Sequence, residues 1–333
     1  MRKVKWGVMG TAMIFERNTA EGMRQAENCE MYAIAGRSPD KTKKFKEKYG
    51  FQKAYNSYEE LLADPEVEAV YIPLPNTMHH DWTIRALRAK KHVLCEKPIA
   101  TTAAEAQEMF NAAKENGVYL MEAFAYLHSP IISALAEDVQ SGVIGDIRYT
   151  EAGFCTSDYN HSNIRMRKET CGGCTYDLGV YANSLVLRIL GREPETVQAI
   201  AHKAPDGIDL YTTSIFEYAD GAVANIECGM VLATDKHRGF ASFQIHGTKG
   251  EISSDRFNFN AHGKLSYRLQ TFDGIDEVRT IDVPHNYRLE VEQLGRCIID
   301  GEKPAVSGTF SLANARIIDR ILSAIGYGTP DHL

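Results

Sequence analysis

The chain has 333 residues, 44% of them hydrophobic and 24% charged, with a formal net charge of −7. That length allows two domains, and the composition is ordinary for a globular protein. The acidic balance excludes the electrostatic footprint of a nucleic-acid or anionic-membrane binder. No window offers the ~20 apolar residues that a membrane-spanning helix needs. Residues 1–6 run straight into a strand pattern, without the apolar stretch of a signal peptide. Seven cysteines, an odd number scattered along the chain, fit reduced thiols better than a disulfide framework. The expected location is therefore cytoplasmic.

Val4, Trp6 and Val8 mark a first strand over residues 3–9. Gly10-Thr11-Ala12-Met13-Ile14-Phe15 follows it. A dinucleotide-binding turn asks for Gly-x-Gly-x-x-Gly or Ala at this place. Gly10 suits the tight turn, Ala12 replaces the second glycine, and Phe15 stands at the third place. Alanine still lets a pyrophosphate approach a helix N-terminus, so residues 10–14 are the expected phosphate loop. The second strand, Met31-Tyr32-Ala33-Ile34-Ala35, ends at Gly36-Arg37-Ser38-Pro39-Asp40. An NAD site usually puts an acid here for the ribose 2′-hydroxyl. This chain offers Arg37 and Ser38, and arginine pairs well with phosphate. NADP is the expected cofactor, with NAD as the alternative. Ser38 also suits the N-cap of the next helix, with Pro39 in its first turn.

Ser57 to Glu60 reads as a capping box. A third interior strand, Ala69-Val70-Tyr71-Ile72, breaks at Pro73-Leu74-Pro75-Asn76-Thr77-Met78-His79. Two prolines make a stiff loop over the cofactor position, where Leu74, Pro75, Asn76 and His79 are candidate contacts. A lone histidine equally suits holding such a loop in place. A helix with Trp82, Ala86 and Leu87 leads to the strand of Val93-Leu94-Cys95, which stops at Glu96-Lys97-Pro98. A lysine at the C-terminal end of an interior parallel strand lies where open α/β sheets bind ligands. Proline restricts the backbone of the residue before it, so Lys97 is expected to be held in an extended or turn conformation. After a second capping box at Thr102 and Glu105, and a helix that stops at Gly117, Tyr119-Leu120-Met121 closes this half as its last strand. Alternating strands and helices make it a doubly wound parallel sheet.

After Glu122-Ala123-Phe124 the pattern changes. A helix over about 130–141 is followed by long strands at 147–155, 196–203, 211–218, 222–228, 240–246 and 251–254, joined by turn signals such as Ala219-Asp220-Gly221. This predicts a large, mostly antiparallel sheet with helices on one face and the other face open to a second subunit. A last helix carries Ala313, Ile317, Ile318, Ile321 and Leu322. The expected fold class is α/β, with a Rossmann domain over 1–123. An α+β domain with the open sheet follows over 124–333, its last helix free to pack back on the first domain.

The second half holds its own chemical cluster: Asn163, Arg165 and Cys171-Gly172-Gly173-Cys174-Thr175-Tyr176-Asp177-Leu178-Gly179-Val180-Tyr181. Asp177 and Tyr181 share a helix face at a spacing of four. A tyrosine serves as a general acid when its pKa falls from about 10, as a nearby ammonium would make it do. The bland alternative packs Tyr181 in a core and uses Asp177 as a cap. Cys171 and Cys174 are spaced for metal or dithiol chemistry. No second pair stands at suitable spacing, so no metal is expected.

Together, Gly10 onward, Pro75-Asn76-x-x-His79, Glu96-Lys97-Pro98, Glu122-Ala123-Phe124 and Gly172-Gly173-x-x-x-Asp177-x-Gly179-x-Tyr181 resemble the glucose–fructose oxidoreductase/inositol dehydrogenase (Gfo/Idh/MocA) family over the whole chain. The resemblance implies a Rossmann domain, a C-terminal α/β domain with an open sheet, and a homodimer or homotetramer built through that sheet. It also implies a catalytic lysine at Lys97. It implies a second catalytic position at Tyr181, which looks like the branch of glucose–fructose oxidoreductase, xylose dehydrogenase and dimeric dihydrodiol dehydrogenase, whose usual cofactor is NADP. The chain departs from the family pattern at Ala12, Phe15 and Leu127.

The implied activity is an NADP-preferring oxidoreductase acting on a sugar or related cyclic alcohol. Tyr181 would exchange the hydroxyl proton, Lys97 would polarise the substrate oxygen, and Asp177 would hold a substrate hydroxyl. Asn76, His79 and Glu96 would line the nicotinamide side. Phe124, Tyr126, Asn163 and Arg165 complete the expected substrate contacts. Two other readings share this fold: a glycoside-cleaving enzyme that uses tightly bound NAD for transient oxidation, and a nucleotide-binding regulator that does no chemistry. Choice among substrates is expected to lie in the loops 155–168 and 230–240.

Overall fold

Strand and helix alternate from Val4 onward, and the first sheet is parallel throughout. The structure, a computed structural model, describes residues 2–157, 163–232, 239–254 and 256–328. Parts of both loops expected to choose the substrate, 158–162 and 233–238, lie outside the described residues. By its internal packing the chain divides into two units. One holds everything up to His128 together with Pro284–Leu312, and the other holds Ser129–Val283 and the residues from Ala313 onward.

The first unit carries β1 (Val4–Met9), β2 (Cys29–Ala35), β3 (Lys53–Tyr55), β4 (Ala69–Ile72), β5 (His92–Glu96) and β6 (Leu120–Ala123). Their order is β3-β2-β1-β4-β5-β6, the doubly wound arrangement with the chain reversal between β1 and β4. The three-residue strand β3 is too short to show a period, which is why the sequence does not announce it. It lies at the sheet edge and completes the six strands. Between the strands run α1 (Ala20–Gln25), α2 (Pro39–Tyr49), α3 (Tyr58–Ala63), α4 (His79–Arg88) and α5 (Ala103–Asn116). Both expected capping boxes form. Ser57 accepts the Glu60 N–H at 3.1 Å, and Thr102 accepts that of Glu105 at 3.2 Å.

The second unit carries α6 (Pro130–Gln140), β7 (Ile147–Thr156), α7 (Val180–Leu190), β8 (Thr196–Lys203), β9 (Asp209–Glu217), β10 (Val223–Gly229), β11 (Gly239–Gly247), β12 (Gly250–Ser254), β13 (Gly263–Thr271) and β14 (Asp276–Val283). Strand order is β14-β13-β12-β11-β7-β10-β9-β8, antiparallel except where β10 meets β7. Helix α7 packs on β7 and β10, and α6 on β14. Ile200 stands exposed on the edge strand β8, and Ile215 on its neighbour β9.

Two last helices, α8 (Asn286–Asp300) and α9 (Gly308–Ala324), end the described chain. Helix α8 was not anticipated, and it belongs to the first unit, where it lies against α1. Two glycines let these helices meet. A Cβ on Gly22 would stand 2.7 Å from the Tyr287 backbone carbon, and one on Gly295 would stand 2.4 Å from Asn28 Nδ2. Asn28 Nδ2 donates to the Glu292 carbonyl at 2.8 Å and ties the pair. No helix among the described residues is long and apolar enough to cross a membrane.

Candidate active site

In the first unit, β1 ends at Gly10, whose φ of +111° is strained for any residue with a side chain. Its N–H donates to the Ala35 carbonyl at 2.7 Å, so the turn is pinned to β2. Thr11, Ala12, Met13 and Ile14 follow with partial or full exposure. The backbone then enters a π-helical turn, Phe15–Thr19, that continues into α1. Phe15, which breaks the glycine pattern, is fully buried. Its ring meets Tyr49 at 5.1 Å, Phe51 at 5.8 Å, Phe45 at 6.3 Å and Tyr71 at 6.4 Å between centroids. A bulky residue stands at the third glycine place because an aromatic cluster, not close strand–helix contact, fills that space.

At the end of β2, Arg37 and Ser38 are both exposed. Ser38 occupies the N-cap place of α2 with Pro39 next to it, yet its side chain makes no capping hydrogen bond. The Ser38 carbonyl instead accepts the Thr42 N–H and hydroxyl, both at 2.9 Å. Of the two roles open to Ser38 in the sequence, capping by the side chain is therefore not the one it performs. Burial pushes the Tyr58 hydroxyl up, and the Arg37 guanidinium beside it pulls the other way.

The loop after β4 runs through Leu74 and Pro75 into a single 3₁₀ turn, Asn76–Met78. His79 is fully buried, with Nδ1 2.7 Å from the Pro98 carbonyl and Nε2 2.8 Å from the Leu74 carbonyl. Both ring nitrogens face backbone oxygens, so His79 ties the loop to the Lys97 turn instead of offering a nitrogen to a ligand. Burial lowers its pKa against the pull of those two carbonyls. Glu96 is buried and engaged too. Its Oε1 accepts the Tyr71 hydroxyl at 2.5 Å, and its Oε2 accepts the Lys97 N–H at 3.3 Å.

Lys97 is half-buried at the end of β5, before a cis peptide to Pro98. The next N–H, of Ile99, donates to Glu122 Oε1 at 2.9 Å. Glu122 was not among the expected site residues. An acid inside the apolar run of β6 was the available signal. Burial pushes its carboxyl up to about 7, with Lys97 among the groups pulling it down. Phe124 and Tyr126, expected to touch substrate, are both buried in this unit. Their rings meet edge to face at 6.1 Å. Side chains enclosed in this way pack the unit and present no surface to a ligand.

In the second unit, Asn163 Oδ1 accepts the Arg165 N–H at 3.1 Å and caps a 3₁₀ turn, Ile164–Met166. Arg165 Nε lies 2.8 Å from Asp177 Oδ1. The two expected substrate groups therefore hold each other. Asp177 sits in a π-helical turn, Thr175–Gly179, that runs on into α7 with Tyr181. The Tyr181 ring is buried, 5.6 Å from that of Phe154 and 5.3 Å from that of Phe259. Gly172 and Gly173 have no room for side chains. A Cβ on Gly172 would meet the Arg165 carbonyl oxygen at 2.4 Å, and one on Gly173 would meet Asp209 Oδ1 at 2.0 Å. Asp209, far away in the chain, is the residue that sequence spacing could not supply.

Known proteins share this fold. Residues 4–124 match the family model described as an oxidoreductase family with an NAD-binding Rossmann fold. Residues 132–253 match the GFO/IDH/MocA C-terminal domain. A D-xylose 1-dehydrogenase (NADP(+)) from Haloferax volcanii is 33% identical over 97% of this chain and 98% of its own. A trans-1,2-dihydrobenzene-1,2-diol dehydrogenase from Xenopus laevis is 29% identical over 98% of this chain and 99% of its own. Among solved structures, a 3-ketoreductase from Actinomadura kijaniata in complex with NADP and TDP-benzene superposes with a TM-score of 0.90. It is 29% identical and covers 97% of this chain and 98% of that one. The two family models together span more than half of the chain, and the similarity to known oxidoreductases runs over nearly all of it, so this chain belongs to the Gfo/Idh/MocA oxidoreductase family.

Proposed function

We propose that the chain is an NADP-preferring oxidoreductase of a sugar or a related cyclic alcohol, or of the corresponding carbonyl compound. The observation that carries the cofactor half of this reading is the end of β2. It exposes Arg37 and a Ser38 whose side chain does not cap its helix, and it offers no acid at the ribose place. The residues present fit a dinucleotide. Gly10 has the backbone that a tight phosphate turn requires, and residues 11–14 remain accessible before the helix. When bound, the nicotinamide supplies hydride transfer.

The chain's own part is proton and charge management. Tyr181 exchanges the proton of the substrate hydroxyl, and Lys97 polarises the substrate oxygen. Asp177, oriented by Arg165, takes a substrate hydroxyl. His79 and Glu122 act one step back, on the backbone that presents Lys97. The family resemblance supports a homodimer or homotetramer through the open sheet, and so do the exposed Ile200 on its edge strand β8 and Ile215 on the neighbouring β9. All seven cysteines are free thiols, which supports a cytoplasmic setting.

Absorbance at 340 nm tests the reading, with NADP⁺ and NAD⁺ offered against aldoses, inositols and a trans-dihydrodiol. Arg37→Ala should raise the KM for NADP⁺ by about tenfold or more while changing that for NAD⁺ little, as loss of a phosphate contact predicts. An equal effect on both cofactors would remove the phosphate argument. Lys97→Met and Tyr181→Phe should be far from additive when combined, because groups acting on one step share their effect. Additive losses would mean that the two residues do not act together.

A further inference from the structure

Asp209 opens β9 as a fully buried carboxyl in the second unit. Its Oδ2 accepts four hydrogen bonds: from the Thr175 N–H at 2.8 Å, the Thr175 hydroxyl at 2.6 Å, the Thr212 hydroxyl at 2.9 Å and the Cys174 thiol at 3.0 Å. The Cys228 thiol donates in turn to Cys174 Sγ at 3.5 Å. Among the described residues Asp209 Oδ1 has no hydrogen-bond partner, although it is buried. Ligand-capable atoms of Cys174, Asp209 and Cys228 all lie within 4.8 Å of one another, on residues closed to solvent.

We propose that Cys174, Cys228 and Asp209 form a site for one thiophilic divalent cation of the zinc class, with the Thr212 hydroxyl as a neutral fourth donor. Geometry supports this first. With zinc–sulfur bonds near 2.3 Å, tetrahedral thiolate ligands stand about 3.8 Å apart, and thiolate and carboxylate oxygen about 3.5 Å apart. The observed 3.5 Å and 3.0 Å need to open by only a few tenths of an ångström. Thr212 Oγ1, 3.6 Å from Cys174 Sγ, already stands at a ligand-to-ligand spacing.

Charge supports it next. Two thiol protons now form the chain from Cys228 through Cys174 to Asp209. A divalent cation that bonds both sulfurs and the carboxylate releases those two protons to water. No electron is transferred, and the two positive charges that enter replace the two that leave, so the net charge of the cluster does not change when the ion enters. Thr175 N–H continues to face the Asp209 carboxyl. The three ligands come from three elements: Cys174 directly before the Asp177 turn, Asp209 on β9 and Cys228 on β10. An ion would crosslink the start of the Tyr181 helix to the sheet. This departs from the sequence expectation of no metal. It also departs from the C-x-x-C spacing, because Cys171 is not one of the three.

The test uses the full chain, reduced and freed of metal, titrated with Co²⁺. Expected are one equivalent bound and a thiolate-to-cobalt charge-transfer band in the near ultraviolet. Strong visible bands of tetrahedral cobalt and two protons released per ion should accompany it, and Zn²⁺ should displace the cobalt. Cys171→Ala should leave all of this unchanged. Cys228→Ala should weaken binding by about 10²-fold or more, as loss of a ligand implies. Wild-type protein that shows no charge-transfer band with stoichiometric Co²⁺ overturns the proposal, and that reading needs no variant to fold. A band that survives Cys228→Ala, or is lost in Cys171→Ala, overturns it as well.

Discussion

Glu122 in the first unit and Asp209 in the second are both buried carboxyls that hold backbone beside a candidate catalytic side chain, but they are satisfied very differently. Glu122 accepts a single backbone N–H, that of Ile99 just beyond Lys97; among the described residues its Oε2 has no hydrogen-bond partner of good geometry, although the nearby Ser311 hydroxyl also favours its charged form. Asp209 gathers four donors on one oxygen at the start of the helix that carries Tyr181. Donors stabilise the charged form of a carboxyl, and burial without them stabilises the neutral form. The turn that presents Lys97 therefore rests on a group whose charge changes near neutral pH. The start of the Tyr181 helix rests on a dense network that also joins two strands.

The largest expected effect lies on the Asp209 side. Tyr181→Phe removes one hydroxyl and keeps the ring that packs between Phe154 and Phe259. Turnover should fall about 10²–10⁴-fold, the range of general acid–base catalysis. NADPH affinity, measured by fluorescence, should stay the same. Retained turnover would make the helix a binding element only.

Glu122→Gln is the next largest and probes the sparse side of the comparison. The folded-state pKa of Glu122 is raised to about 7 from an ordinary 4.5. Below pH 4.5 the carboxyl is protonated in both states and contributes no difference. As pH rises from 4.5 to 7 the unfolded chain loses the proton first, so stability falls, and above 7 the loss is complete. At 1.36 kcal/mol per pKa unit the full loss is about 3 kcal/mol. Glutamine cannot ionise. Urea unfolding should show Glu122→Gln gaining on the wild type by roughly that amount between pH 5 and pH 8. Parallel curves for the two proteins would show that the carboxyl is solvated in solution.

Asp209→Asn probes the dense side, and its expected cost is smaller. The amide oxygen can take the donors now on Oδ2, leaving the amide nitrogen buried at the Oδ1 place against Gly173. An unpaired buried donor costs about 1–3 kcal/mol. A Tm that does not move would mean that the network can rotate and re-pair.

Much of this was legible in the chain. The Rossmann alternation, both capping boxes, the strand that ends at Lys97 and the pairing of the long C-terminal strands follow from local period and punctuation. The illegible parts are long-range. Strand β3 is three residues at an edge and carries no period. Helix α8 lies far along the sequence from the first unit, which it joins through Gly22 and Gly295. Phe15 reads as damage to a glycine motif until Phe45, Tyr49, Phe51 and Tyr71 surround it. Cys174 invites pairing with Cys171 by spacing, but β10 brings Cys228 to it. For the same reason the expected substrate contacts Phe124 and Tyr126 turn out to be enclosed. A motif fixes the order of residues along a strand but not the side of the unit that each one faces.

The smallest effect separates two serines that look alike in the sequence. Ser57 and Ser38 both stand at helix N-caps, yet only Ser57 bonds the backbone, at 3.1 Å to the Glu60 N–H. Ser57→Ala should therefore cost about 1 kcal/mol of stability. Ser38→Ala should cost no more than a few tenths, the range of a surface change that removes no interaction. If the Ser38 hydroxyl serves the 2′-phosphate, Ser38→Ala should still raise the KM for NADPH and leave that for NADH alone. Stability and cofactor preference would then move independently at Ser38 and not at Ser57. Equal stability losses at the two positions would show that Ser38 caps its helix in solution, and Arg37 would be left as the phosphate contact from this turn.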